Sequence, residues 1–394
     1  MNTTSSAVPP GAAAPPPLLS IGFRPFFLGA GLGAIALIGV WLFAQLSPVT
    51  IRAYGPTMTW HGHEMLFGYT AAVIAGFLLT AVRNWTSRQT LEGWPLAALA
   101  LLWLAARVLP ATGAGPLAVA IVDLAFLPLV AVAIARPILR AKNYKNLVVV
   151  GLLTLLWLAD LAVHSTPLGG HPSAAVWGLE AGVWVVLAVI AVIGGRVLPF
   201  FTRRGVPGTT PKTWRPIELA AAPVLLLTAA ATIAEAPAAL TATVATIAAA
   251  VHATRLAGIT SRRIWSTPLV WVLHVAYAWL AIGLLLHALA ALGLITPTLA
   301  RHALTIGAIG GMTLGMMARV ALGHTGRDLV TAPQTNLAFV LANLAVLARV
   351  ALPIAAPGTY AASIQIAGAL WIAAFLIFTV TYFPILITPR PRPE

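Results

Sequence analysis

Cysteine is absent from the 394-residue chain. That excludes disulfides, thiolate haem ligation, c-type haem attachment, iron–sulfur clusters and cysteine-ligated zinc, so any metal must rest on His, carboxylate, Met or Tyr. Acid is scarce too: Asp and Glu total 9, and charged residues make up 8% of the chain against 60% hydrophobic. Soluble domains carry about a quarter charged residues, so a cytosolic protein is excluded. The same scarcity suits an integral membrane protein, because a charge at mid-bilayer costs roughly 2.5 to 3.5 kcal/mol. The sequence contains no Walker loop, no His-Glu-x-x-His and no Gly-x-Ser-x-Gly, which argues against ATP coupling and hydrolysis. His63-Glu64 lacks the second His of a zincin helix, and the glycines of 29–33 lie in a spanning segment rather than a dinucleotide loop.

What is present is a series of long apolar runs. A spanning helix needs about 20 mainly apolar residues, and the Pro, Gly and basic punctuation predicts twelve. They fall at 26–46, 61–82, 95–109, 117–135, 147–164, 174–198, 216–233, 236–254, 268–292, 302–322, 335–352 and 361–387. The expected fold is therefore all-α and polytopic: a disordered Pro/Ala/Ser-rich tail at 1–20, one twelve-helix domain at 21–388, and a short tail at 389–394. With both termini in the cytoplasm, only Arg52, Arg107, Arg301 and Arg349 of the 23 Lys and Arg fall outside. Such a split follows the positive-inside rule. The net charge of +14 thus reads as topology, and nucleic acid is not an expected partner, since no reading module accompanies the bases. Residues 1–20 lack the basic and apolar regions of a cleaved signal peptide, and no internal repeat is evident.

Ionisable residues at span depth carry the functional information, because each needs a partner or the bundle interior. His61 and His63 lie about 200° apart on a regular helix and point different ways. Asp160 and His164, four apart, share a helix face, a spacing that suits a carboxylate orienting an imidazole or a shared ion. His302 and His324 open and close the tenth span, roughly 33 Å apart, with Gly307, Gly311 and Gly315 between them as a stripe for helix packing or for a flat macrocycle. His274 lies about 9 Å inside the other boundary of its span, with Tyr277 one turn on. His171, His252 and His287 are expected near interfaces or loops. Glu64, Asp123, Asp160 and Glu180 all fall in the outer halves of their spans, where they could relay protons or help hold a redox metal. The ordinary alternative for any one of them is pairing with a buried Arg such as Arg107.

Two metal layers follow: His61, His63, His164 and His302 outside, His274 and His324 inside. Haem held by one or two imidazoles, or copper, suits such a set.

The sequence resembles the NnrS family of haem- and copper-containing bacterial membrane proteins linked to nitric oxide. The resemblance rests on Phe23-Arg24-Pro25-Phe26-Phe27, on Trp60-His61-Gly62-His63-Glu64-Met65-Leu66-Phe67-Gly68, and on Gly76-Phe77-Leu78-Leu79-Thr80-Ala81 with Asn84-Trp85-Thr86. It continues through Gly194-Gly195-Arg196-Val197 with Pro199-Phe200-Phe201-Thr202-Arg203, Pro268-Leu269 with Leu273-His274, and the run from His302 to Arg327. Arg83 stands where a proline is common before Asn-Trp-Thr. The resemblance implies twelve helices, a haem of b type, copper as a further metal, nitric oxide or a related nitrogen oxide as ligand, an unidentified electron donor, and the bacterial inner membrane. It maps His61, His63, His274, His302 and His324 onto family motifs; His164 rests on depth alone. The expected cofactor contacts are His63, His302, His274, His324, Arg24 and Arg319. The expected metal ligands are His61, His63, His164, His302 and His324, with Glu64, Asp123 and Asp160 as catalytic carboxylates. A haem-free proton-coupled transporter and a non-catalytic haem or metal sensor are the alternatives.

Overall fold

The computed structural model describes residues 15–46 and 53–391. Most of the expected N-terminal tail, Arg52 and residues 392–394 lie outside them. Among the described residues the fold is all helical, and twelve helices are long and apolar enough to cross a membrane. They are α1 (Phe23–Leu46), α2 (Thr57–Thr86), α3 (Gly93–Thr112), α4 (Pro116–Arg140), α5 (Tyr144–Leu168), α6 (Ala174–Gly205), α7 (Arg215–Ile233), α8 (Ala238–Ile259), α9 (Pro268–Ala291), α10 (Pro297–His324), α11 (Pro333–Ala355) and α12 (Pro357–Ile387). The chain is a multi-pass membrane protein. All twelve expected spans are present, but α2 and α10 begin four and five residues earlier than expected. Pro56 precedes the first and Pro297 opens the second, and proline at a helix start costs nothing because its missing N–H would be unpaired there anyway.

The enclosed pair is α2 and α10, each with 89% of its apolar stretch buried, against 56% for α6 and α9. The remaining helices wrap them in near chain order, closed by α12 packing on α1. The central pair meets where Tyr69 hydroxyl lies 2.6 Å from Thr313 Oγ1. Thr313 already donates to the carbonyls of Ile309 and Gly310, so Tyr69 is the donor.

Both central helices depart from regular winding just after a histidine. Helix α2 is α-helical over Thr57–His63 and π-helical over Glu64–Thr70; α10 is α-helical over Pro297–His302 and π-helical over Ala303–Gly310. Wider π turns are rare and concentrate at functional sites. The glycine stripe of α10 serves helix packing: a Cβ at Gly307 would meet Trp279, at Gly311 Ala276, and at Gly315 Leu273 and Val272, all from α9. That face is filled by side chains and leaves no slot for a macrocycle.

Helix α4 is broken at Ala125, between Leu124 and Phe126. Pro128 lacks the N–H that would bond the Leu124 carbonyl, and Trp157 Nε1 of α5 donates to that carbonyl instead, at 3.0 Å. The break ties α4 to α5 one residue beyond Asp123.

Candidate metal centre

Four helices and one preceding segment converge at the end of the bundle where α2 begins. His63 Nε2 lies 2.8 Å from Asp123 Oδ2 and 3.0 Å from Asp160 Oδ1. His164 Nε2 lies 3.0 Å from the same Asp123 oxygen and 3.7 Å from the same Asp160 oxygen. One ligand atom from each of these four residues falls within 4.8 Å of every other. All four side chains are buried, with exposures from 0 to 3%. Asp160 and His164 share a face of α5 as the sequence spacing predicts; Asp123 reaches them from α4 and His63 from α2.

A second tier of residues positions the first. Glu64 Oε1 is 3.3 Å from His63 Nδ1; with an ion at the centre, Nδ1 would donate to this carboxylate and Nε2 would turn its lone pair inward, the usual state of a ligating imidazole. Arg107 of α3 donates to Glu64 Oε2 at 3.0 Å and to Asp123 Oδ1. Gly68 makes room for this pair, because a Cβ there would collide with Arg107 Nη1 and Glu64 Oε2. Trp103, one turn before Arg107, donates to the Gly68 carbonyl at 2.9 Å. Tyr54, in the segment before α2, packs its ring 4.5 Å from that of His63 and 5.5 Å from that of His164. Burial, with Asp123 and Glu64 nearby, pushes the Tyr54 phenol above its ordinary range, so it stays protonated.

The charges do not balance. Glu64, Asp123 and Asp160 carry three negative charges if ionised, and Arg107 supplies one positive. Neutral imidazoles leave the cluster two charges short in a water-poor interior, where uncompensated charge is costly. Tyr54 hydroxyl, His164 Nδ1 and Arg107 Nε are buried without hydrogen-bond partners. Two imidazole nitrogens and two carboxylate oxygens, with two surplus negative charges, suit one divalent transition ion. Arg107 and Tyr54 are the components that sequence spacing does not connect to the site. Arg107 figured there only as a generic partner for an acid.

The other expected residues are distributed elsewhere. His61 stacks on Trp41, ring centroids 4.3 Å apart, turned away from His63 as their spacing predicts. His302 Nδ1 lies 2.6 Å from the Thr298 carbonyl. Glu180 pairs with Arg301 at 3.0 Å and accepts from Trp184, so it does not join the other outer carboxylates. At the opposite end, His274 Nδ1 donates to the Val270 carbonyl at 2.9 Å and its Nε2 faces Thr202 Oγ1 at 3.3 Å. His324 lies with its ring 6.2 Å from that of Phe23. Arg24 donates to the carbonyls of Leu386 and Thr388, and Arg319 sits 3.9 Å over the Phe201 ring. These four residues form no donor set comparable to the first.

His252 corrects an expectation. Rather than being solvated, as a histidine near an interface is expected to be, it is 0% exposed. Its Nε2 donates to the Ala221 carbonyl at 3.1 Å and its Nδ1 accepts from Tyr277 hydroxyl at 2.7 Å. Arg255 donates to that hydroxyl, to the Ala191 carbonyl and, through two nitrogens, to Glu218. Gly195 gives the guanidinium its space, since a Cβ there would overlap it. One acid, one base and a closed chain of donors make this a balanced network, unlike the cluster around His63.

Comparison with known proteins places the chain. Residues 17–390, nearly its whole length, match the family model described as NnrS protein. No curated protein matches it.

Proposed function

The chain belongs to the NnrS family, and from that premise we propose a protein of the bacterial inner membrane that binds nitric oxide, or a related nitrogen oxide, at a metal within its helical bundle. The observation that carries the reading is the convergence of His63, His164, Asp123 and Asp160 with two negative charges in excess. An ion of the copper or iron class suits this set: imidazole and carboxylate both ligate it, and the Glu64-to-His63 contact is the outer partner that such a ligand requires. Bound there, the ion supplies a redox-active Lewis acid. The chain's own residues do the rest. Arg107 holds Glu64 and Asp123 in place, Tyr54 covers the two imidazoles, and Glu64, Asp123 and Asp160 are carboxylates able to pass protons. Nitric oxide is small and apolar, so it reaches a buried site through lipid without a polar channel. Its reduction draws electrons from a separate donor. The bias of Lys and Arg to the other end of the bundle supports an outer-face position for this cluster.

Haem rests on the family reading. Of the expected axial ligands, His63 is engaged with the carboxylates, whereas His302 donates its Nδ1 proton to Thr298 and keeps Nε2 available.

A second reading neutralises the same two charges with protons, His63 and His164 then donating to Asp123 and Asp160 as coupling groups of a transporter. Elemental analysis and a reduced pyridine haemochrome spectrum of protein expressed with haem and copper separate the two. We expect about one ion per chain, lost in Asp160→Asn, with haem lowered in His302→Ala and unchanged in His324→Ala. A preparation free of both metal and haem overturns the reading in favour of the transporter. Anaerobic nitric oxide consumption with an artificial reductant then distinguishes turnover from sensing.

A further inference from the structure

The same end of the bundle holds a second polar group with the opposite imbalance. Arg349 of α11 is 5% exposed. Its guanidinium lies 4.8 Å over the Tyr360 ring and donates from Nη2 to Tyr360 hydroxyl at 3.0 Å and to Thr298 Oγ1 at 3.4 Å. Nη1 is buried and has no hydrogen-bond partner among the described residues. Nor does any carboxylate pair with Arg349 among them. Of the chain's 9 acidic residues only Glu394 lies outside the described part, so the shortage of acid belongs to the sequence itself. The neighbouring cation, Arg301, is already taken by Glu180.

One half-buried imidazole, His302, accompanies the guanidinium. Thr298 joins the two: Arg349 Nη2 donates to Thr298 Oγ1 at 3.4 Å, and His302 Nδ1 donates to the Thr298 carbonyl at 2.6 Å. His302 presents the Nε2 lone pair described above. A buried cation left without an anion is costly, and a guanidinium edge is the side-chain geometry best matched to two coplanar oxygens.

We infer that the Arg349 guanidinium forms a binding site for a small carboxylate-like anion, separate from the His63 cluster. Two sources share that chemistry. One is a free anion with two coplanar oxygens; the other is the carboxylate edge of a metalloporphyrin whose iron takes His302. The site is independent of which group neutralises the Asp123 cluster, and the inference stands or falls apart from that reading.

The test uses full-length protein in nanodiscs, prepared haem-free and haem-loaded, with sodium nitrite, sodium formate and haem b as probes. Binding is read by equilibrium dialysis and thermal shift for the anions and by absorbance for haem. For a free anion, nitrite or formate binds saturably to both preparations, Arg349→Gln weakens it at least about tenfold, and Asp160→Asn leaves it unchanged. For a porphyrin carboxylate, the anions bind only the haem-free protein, and haem dissociates at least about tenfold faster from Arg349→Gln. Should Arg349→Gln not accumulate, Arg349→Lys, which keeps the charge but loses the fork, replaces it and is expected to weaken binding at least about threefold. Absence of saturable binding by all three probes, or affinities unchanged in the variants, overturns the inference.

Discussion

Two buried polar networks, one around Asp123 and one around Arg255, are built from similar residues and come to opposite ends. In the second, Glu218 and Arg255 cancel, Tyr277 and His252 complete the donor chain onto backbone carbonyls, and the charge sum is zero. In the first, three acids face one Arg, two histidines crowd the same two oxygens, and three polar atoms have no partner. A network that closes on itself holds helices α6 to α9 in register and asks for nothing more. One that stays open in charge and in hydrogen bonding is built to receive something. Burial alone does not separate them, since His63, His164 and His252 are all 0% exposed.

Substitutions sharpen that contrast. The largest effect is expected from Arg255→Ala, which strands Glu218 and opens a void: about 3 to 5 kcal/mol of stability, read by thermal unfolding in detergent, with metal per folded chain unchanged. A fall in metal content there would erase the distinction between the two networks. Asp123→Ala should cost somewhat less, about 2 to 3 kcal/mol, because Arg107 retains Glu64, but it should abolish metal retention. Glu64→Gln keeps the shape and removes the charge behind His63; metal affinity should fall about 10- to 100-fold, measured by competition with a chelator. Unchanged affinity would remove Glu64 from the site. The smallest effect is expected from Trp157→Phe, which leaves the Leu124 carbonyl unpaired at the α4 break, at about 1 kcal/mol, with a modest loss of metal affinity through the displaced Asp123.

Periodicity and composition made the twelve helices legible, because a lipid-spanning run needs only local information. The Asp160 and His164 pair was legible for the same reason, both residues lying on one helix. Asp123 and His63 joined them only in three dimensions: α2, α4 and α5 are not ordered by any signal within 20 residues. Arg107 and Tyr54 were harder still, since a basic residue near a span end and an aromatic residue before one are ordinary features of membrane proteins. His252 was misread because its position in a helix of small residues gave no hint of Tyr277 across the interface. The starts of α2 and α10 were displaced because polar first turns there, Thr57-Met58-Thr59-Trp60 and Pro297-Thr298, look like loop to a hydropathy scan.

The π turns that follow His63 and His302 bear on how this chain tolerates insertions and deletions. Each stretch accommodates surplus backbone within a helix whose far half is locked by contacts such as Tyr69 with Thr313. Excising a single residue from 64–70 would let the stretch tighten to ordinary α winding, and the tighter winding would largely offset the roughly 100° that the lost residue carried, so that His63 would still face Asp123 and Asp160; the same deletion from the α-helical part of α2 would turn His63 by roughly 100° away from them. The π turns are thus the places in α2 and α10 where a one-residue deletion is best absorbed.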